Sequence, residues 1–147
     1  MYKNIMVAVD GSKLSARAVV HALGLAGRLD ARLVVFFASP EMPLPIYAEG
    51  VMYEPMTKKE YAVVAAKEAR KVLDPVVAKA KSAGVEALPV HSIGGTPWEA
   101  ILAAAKKEKC DAIVMASHGR RGLSAVILGS ETQKVLTHSK VPVLVVR

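Results

Sequence analysis

Only one cysteine, Cys110, occurs in this chain, so no internal disulfide can form and a reducing compartment is favoured. No histidine is suggested beside it, and the thiol reads as a structural group rather than a nucleophile. Aromatic residues make up 5% of the sequence, which leaves few stacking platforms for single-stranded nucleic acid, and no nucleic-acid-binding motif is present. No apolar run approaches the roughly 18 residues of a membrane span. The opening Met1-Tyr2-Lys3-Asn4-Ile5 leads directly into a strand-like run interrupted by Asp10, without the apolar core and cleavage site of a signal peptide. The expected location is the cytoplasm, with neither membrane nor nucleic acid as partner.

Several familiar chemistries are missing as well. A dinucleotide-binding fold would carry G-x-G-x-x-G after its first strand, whereas Asp10-Gly11-Ser12-Lys13-Leu14-Ser15 offers one glycine. There is no Gly-Lys-Ser/Thr phosphate loop and no G-x-S-x-G nucleophile elbow. A phosphoacceptor domain would want an acidic pair after the first strand and an aspartate ending the third, which here ends in Val90-His91. No combination of acid, base and nucleophile commits the chain to catalysis.

What is present is a chain of 147 residues, 52% hydrophobic, enough to bury a core as one domain over 1–147. The net charge is +7, from 20 Lys and Arg against 13 Asp and Glu, and a basic surface attracts polyanions in general. Lys58, Lys59, Lys67, Arg70, Lys71, Lys79 and Lys81 are interleaved with Glu60, Glu68 and Asp74. Mixed charge at helical spacing marks a solvated face, not a nucleic-acid stripe.

Strand-like and helix-like segments alternate, the pattern of an α/β fold with a parallel sheet. The predicted strands are Ile5 to Val9, Leu33 to Phe37, Val85 to Val90, Ala112 to Ala116 and Val141 to Val146. Leu14, Ala18, Ala22, Leu25 and Leu29 form one helical stripe, and Tyr61, Ala65, Ala69, Val72, Val76 and Ala80 a second. Trp98, Ile101, Leu102 and Ala105 mark a third helix, opened by Thr96-Pro97-Trp98-Glu99. Thr57-Lys58-Lys59-Glu60 is a capping box for the second, and Pro75 should kink or divide that helix. Pro89 and Pro142 push the third and fifth strands to the edges, since a central strand cannot spare a ladder donor. With right-handed crossovers, the open five-stranded sheet takes the order 3-2-1-4-5, with helices on both faces.

Winding then reverses between the first and fourth strands, where ligands of open α/β sheets settle. Asp10-Gly11-Ser12 and the loop from Ala116 to Ser130 meet there. That second loop follows a continuously apolar run, holds Gly119, Gly122 and Gly129 with Arg120 and Arg121, and ends at a helix start. Glycines let main chain approach a ligand, and free N–H groups at a helix start attract phosphate. Ser130-Glu131-Thr132-Gln133 is also a capping box, which any helix can use. Asp10 equally fits local hydrogen bonding, Arg120 and Arg121 fit either a phosphate clamp or solvation, and His118 lies within phosphate reach.

The spacing Ala116-x2-Gly119-x9-Gly129-Ser130, with Asp10-Gly11-Ser12 and the closing Val141-Pro142-Val143-Leu144-Val145-Val146, resembles the universal stress protein family over nearly the whole chain. In its nucleotide-binding branch the motif is Gly-x2-Gly-x9-Gly-Ser/Thr, and ATP lies across this cleft. The resemblance implies that Val9, Asp10 and the main chain at Ala38 surround adenine, and that Met115 and Ala116 lie near adenosine. Gly119, Gly129, Ser130 and the N–H of Glu131 would hold phosphates, with Arg120 a further candidate. It also implies a homodimer through the last strand, which would shield an apolar edge.

This sequence departs from the motif at Ala116, where a methyl group stands near the ribose, and at Glu131, whose carboxylate opposes phosphate unless it turns away or meets Mg2+. Two functional classes follow. One is an ATP-binding sensor or regulatory module with at most slow hydrolysis; the other is a nucleotide-free member of the same fold acting as a dimeric protein-interaction module. The long connection from Ala38 to Met56 is too apolar for a linker. It is expected to fold over the adenine side of the cleft or pack across a dimer partner.

Overall fold

The computed structural model describes residues 1–53, 56–119 and 128–147. Five strands form one sheet: β1 (Asn4–Ala8), β2 (Arg32–Ser39), β5 (Ala87–Ile93), β6 (Ala112–Ala116) and β7 (Val143–Val146). Two short strands, β3 (Ile46–Ala48) and β4 (Val51–Tyr53), make a separate antiparallel hairpin. The helices are α1 (Lys13–Leu29), α2 (Lys58–Ser82), α3 (Pro97–Lys107) and α4 (Ser130–His138). The main sheet runs β5-β2-β1-β6-β7 with every pairing parallel, which is the expected 3-2-1-4-5 order.

Its inner strands carry unbroken apolar runs, Ile5 to Ala8, Leu33 to Ala38 and Ala112 to Ala116, because both faces are covered. Side chains alternate between two cores. Ile5, Val7, Leu33 and Val35 pack with Val19 and Ala22 of α1 and Ala69 and Leu73 of α2. Met6, Val34 and Phe36 pack with Ile101 and Ala105 of α3 and Val135 of α4. Pro89 lies in strand β5, at the edge of the sheet, whose one sheet neighbour among the described residues is β2. Pro142 precedes β7, and its carbonyl accepts the Ile113 N–H at 2.9 Å.

Several expectations need correction. The third strand begins at Ala87, not Val85, and extends to Ile93; the last begins at Val143, after Pro142, which has no N–H for the ladder. The buried face of α1 is Ser15, Ala18, Val19, Ala22 and Ala26, while Leu25 and Leu29 are exposed. Alanines let that helix approach the sheet closely, and the two leucines fall to the side of the contact. Of the two outcomes expected at Pro75, a kink or a division, the division does not occur: α2 is one helix through that residue. Pro75 and Lys71 are both exposed, so the carbonyl that loses its partner lies on the wet side of the helix. The Thr57–Glu60 capping box forms as expected.

Cys110 is buried at the end of α3, its N–H bonded to the Ala105 carbonyl at 2.8 Å. Burial pushes its thiol up to about 11, opposed by the charge of Arg32 and reinforced by Glu108 and Asp111. The thiolate is therefore disfavoured in the folded protein relative to the unfolded chain. As pH rises through the ordinary thiol range, the unfolded state loses its proton first, so stability should fall toward pH 11. Thiol labelling at pH 8 should proceed only on unfolding; fast labelling of the native protein, or constant stability over that alkaline range, would contradict this placement.

Candidate functional site

Strands β1 and β6 are neighbours from which the chain departs in opposite directions across the sheet. The crevice beyond their carboxyl ends is the switch point. After β1 the chain turns sharply. Asp10 Oδ1 accepts the Ser12 N–H at 2.9 Å, the Asp10 N–H donates to Ser15 Oγ at 3.1 Å, and Ser12 Oγ caps α1 by accepting the Ser15 N–H at 3.1 Å. Gly11, at φ 81°, supplies the left-handed residue of this turn.

Beyond β6, the Ser117 N–H donates to the Val146 carbonyl and the Ser117 carbonyl accepts the Gly129 N–H, each at 2.8 Å. The loop is thereby pinched shut at its base. A methyl group on Gly129 would lie 3.1 Å from the Ser117 carbonyl oxygen and 3.2 Å from His118 Cα. One on Gly119 would lie 2.9 Å from Asp10 Oδ2. Gly129 is thus crowded by the backbone that follows β6 and Gly119 by a side chain of the loop after β1, before any ligand is considered. Ala116 closes β6 in strand conformation, buried, with its carbonyl accepting the Thr132 hydroxyl at 3.1 Å. Its backbone suits an L-residue, so alanine replaces glycine here without strain.

The start of α4 differs from the sequence expectation. Gly129, not Ser130, is the N-cap, with φ −60° and ψ 146°, and as a glycine it brings no side chain to cap the helix. The Ser130-Glu131-Thr132-Gln133 capping box does not form, because the helix begins one residue early. The Gln133 N–H bonds the Gly129 carbonyl at 3.0 Å, and Ser130 becomes the first helical residue. The Glu131 carboxylate is used elsewhere: Oε2 accepts the Trp98 N–H at 2.9 Å, and Oε1 pairs with Lys134 at 3.3 Å. Thr96, although the N-cap of α3, makes no side-chain cap bond to that helix. Glu131 supplies the cap from outside, joining the starts of α3 and α4 and turning its charge onto the α3 dipole.

The crevice encloses about 220 Å³. Among the residues expected there, Val9, Asp10, Ala38, Met115, Ala116, Gly119 and Glu131 line it. Gly129 and Ser130 stand beside it at the start of α4, and Arg120 lies outside the described residues. Ala8, Ser15, Phe36, Pro97, Ile101 and Thr132 also line it, as does His118. Of these, Phe36 and Ile101 are core residues, legible as buried but not as cleft floor. His118 Nδ1 lies 2.9 Å from Ser117 Oγ. Among the described residues of the connection 38–56, Ala38 alone lines the crevice, and β3 and β4 contribute nothing to it.

The sheet order, the switch-point crevice and the uncapped helix start define an open α/β domain of the kind that takes ligands at its strand ends. The universal stress protein family model matches residues 1–147. YxiE of Bacillus subtilis, a universal stress protein, is 34% identical over 149 residues covering all of both chains. Universal stress protein UspA from Lactobacillus plantarum has the same fold, with TM-score 0.81, 23% identity, and coverage of 99% of this chain and 98% of that one. A universal stress protein solved in complex with cAMP is 28% identical, with TM-score 0.69 and coverage of 99% and 97%. This chain belongs to the universal stress protein family.

Proposed function

We propose that the crevice binds an adenine nucleotide, ATP first among them, and that the protein works as a cytoplasmic stress-response sensor or regulatory module. The observation that carries this reading is the bare start of α4. Ser12 caps α1, Thr57 and Glu60 cap α2, and Glu131 caps α3, whereas α4 opens beside the crevice behind a glycine N-cap, with no side-chain cap among the described residues. Main-chain donors without an internal acceptor, at the positive end of a helix, suit phosphate. Apolar Val9, Phe36, Ala38, Ile101 and Met115 form the deeper wall, which suits a base. A volume of 220 Å³ is below the roughly 300–1,000 Å³ of pockets that enclose a whole drug-sized ligand. Base and sugar would occupy it, with phosphates along the rim at α4. The relative with bound cAMP supports the same ligand class.

Turnover is not favoured by this arrangement. Among the described residues lining the crevice, Asp10 Oδ1, Glu131 Oε2 and His118 Nδ1 are each tied to the protein's own groups, which suits a binding module with at most slow hydrolysis. Among the described residues no three metal-ligating side chains cluster; Mg2+ would arrive with the phosphates and keep much of its water. The exposed side of β7 lies at the sheet edge, and pairing of two copies there would give a homodimer through Val141 to Val146.

Thermal unfolding with increasing ATP and Mg2+ tests the nucleotide reading. At 100 times its dissociation constant, ATP should stabilise the native state by about 2.7 kcal/mol. No shift at millimolar ATP would discard nucleotide binding and leave the interaction-module reading.

A further inference from the structure

The hairpin of β3 and β4 stands out because every residue of both strands is exposed. Its register pairs Ile46 with Tyr53, Tyr47 with Met52 and Ala48 with Val51. Opposed residues share a face, so Ile46, Ala48, Val51 and Tyr53 form one apolar side. Ile46 is 62% exposed, Val51 68% and Tyr53 65%. A two-stranded hairpin alone is marginal in water, so this one calls for a surface to pack on. Its tip, Glu49-Gly50, takes the left-handed angles φ 51° and 78° of the tight turn that joins such strands, which presents the Glu49 carboxylate at the end.

Charge points to the partner. The segment 40–56 carries Glu41, Glu49 and Glu54 and no Lys or Arg, in a chain of net charge +7. The complementary surface is on the outer side of α2, where Val63, Ala66, Lys67, Arg70, Lys71, Asp74 and Pro75 line a shallow groove. Val63 is 66% exposed. Lys71 pairs with Glu68 at 2.6 Å, and Lys67 and Arg70 add positive charge beside the apolar strip, with Asp74 the acid in the groove. From Val63 to Arg70 the helix advances about 10 Å, close to the length of a three-residue strand, about 10 Å.

We propose that this groove receives the β3–β4 hairpin of a second copy of the chain. The Ile46, Ala48, Val51 and Tyr53 face covers Val63 and Ala66, and Glu49 meets Lys67 and Arg70. This contact is separate from both the nucleotide crevice and the β7 edge, so dimers paired through β7 would be linked by it into larger assemblies.

Sedimentation equilibrium on the full chain, without nucleotide, tests it. Glu49→Lys, and separately Lys67→Glu with Arg70→Glu, should each weaken self-association by about tenfold or more, and all three changes in one chain should restore it. As a second readout, a Val51→Cys chain and a Val63→Cys chain carrying different tags should form a mixed disulfide on oxidation, Cys110 being buried. A monomeric wild type, or association indifferent to both charge reversals, overturns the proposal; so does a Val51→Cys/Val63→Cys chain that cross-links only within itself, with no mixed disulfide between copies.

Discussion

Phe36→Ala is expected to lower the unfolding free energy by about 3–5 kcal/mol, the largest loss from any one site in the cleft wall. Phe36 is 1% exposed and is among the largest fully buried side chains. It packs between α3 and the sheet with Met6, Ile101 and Met115, and its carbonyl accepts the Val9 N–H at 2.9 Å. Removing the ring sacrifices its transfer free energy and leaves a void that the sheet, paired on both sides of β2, cannot easily collapse into. The same ring lines the crevice, so the void would open into the proposed base site and widen it. Urea unfolding should show a lower midpoint at unchanged slope. Phe36→Leu, which keeps most of the volume, should recover much of the loss. A change below about 1 kcal/mol for the alanine variant would mean that this wall is not a packed core.

The dual position of Phe36 shows why the fold was more legible than the cleft. Apolar runs at β1, β2 and β6, together with Pro89 and Pro142, were enough to order the sheet, because backbone pairing and burial act on whole segments. Which core side chain also floors a crevice depends on where two helices end over it, and no local pattern encodes that. Phe36 and Ile101 therefore read simply as core. Asp10, Ala116 and Gly119 lie in or at the start of the loops that topology brings to one point, whereas Val9, Ala38, Met115 and Glu131 were expected at the crevice from the family resemblance. The capping box over Ser130 to Gln133 does not form for a related reason: the signature is present, but its register is decided by the Gly129 N–H bonding back to Ser117. The Glu131 carboxylate then goes to Trp98, 33 residues away. The hairpin escaped notice because its three-residue strands follow Pro40, Pro43 and Pro45 and neither joins the main sheet.

The two motif glycines should respond differently to substitution, with Gly129→Val the more damaging. At Gly129 an added carbon meets backbone, the Ser117 carbonyl oxygen and His118 Cα, and neither can swing aside. Relief requires moving the base of the loop, which the 2.8 Å bonds from Gly129 to Ser117 and from Ser117 to Val146 hold in place. Overpacking of this sort costs about 1–3 kcal/mol, and the displacement falls on the start of α4, where phosphate is proposed to bind. At Gly119 the neighbour is Asp10 Oδ2, the end of a side chain that can rotate, although doing so strains its bond to the Ser12 N–H. Gly119→Ala should therefore leave stability within about 1 kcal/mol of wild type, while Gly129→Val should lose that 1–3 kcal/mol and all stabilisation by ATP. Measuring both variants by urea unfolding, with and without ATP and Mg2+, separates the effects. If Gly129→Val kept wild-type stability and its full response to ATP, the loop would not be closed by the Gly129–Ser117 contact, and the α4 start would not be the phosphate site.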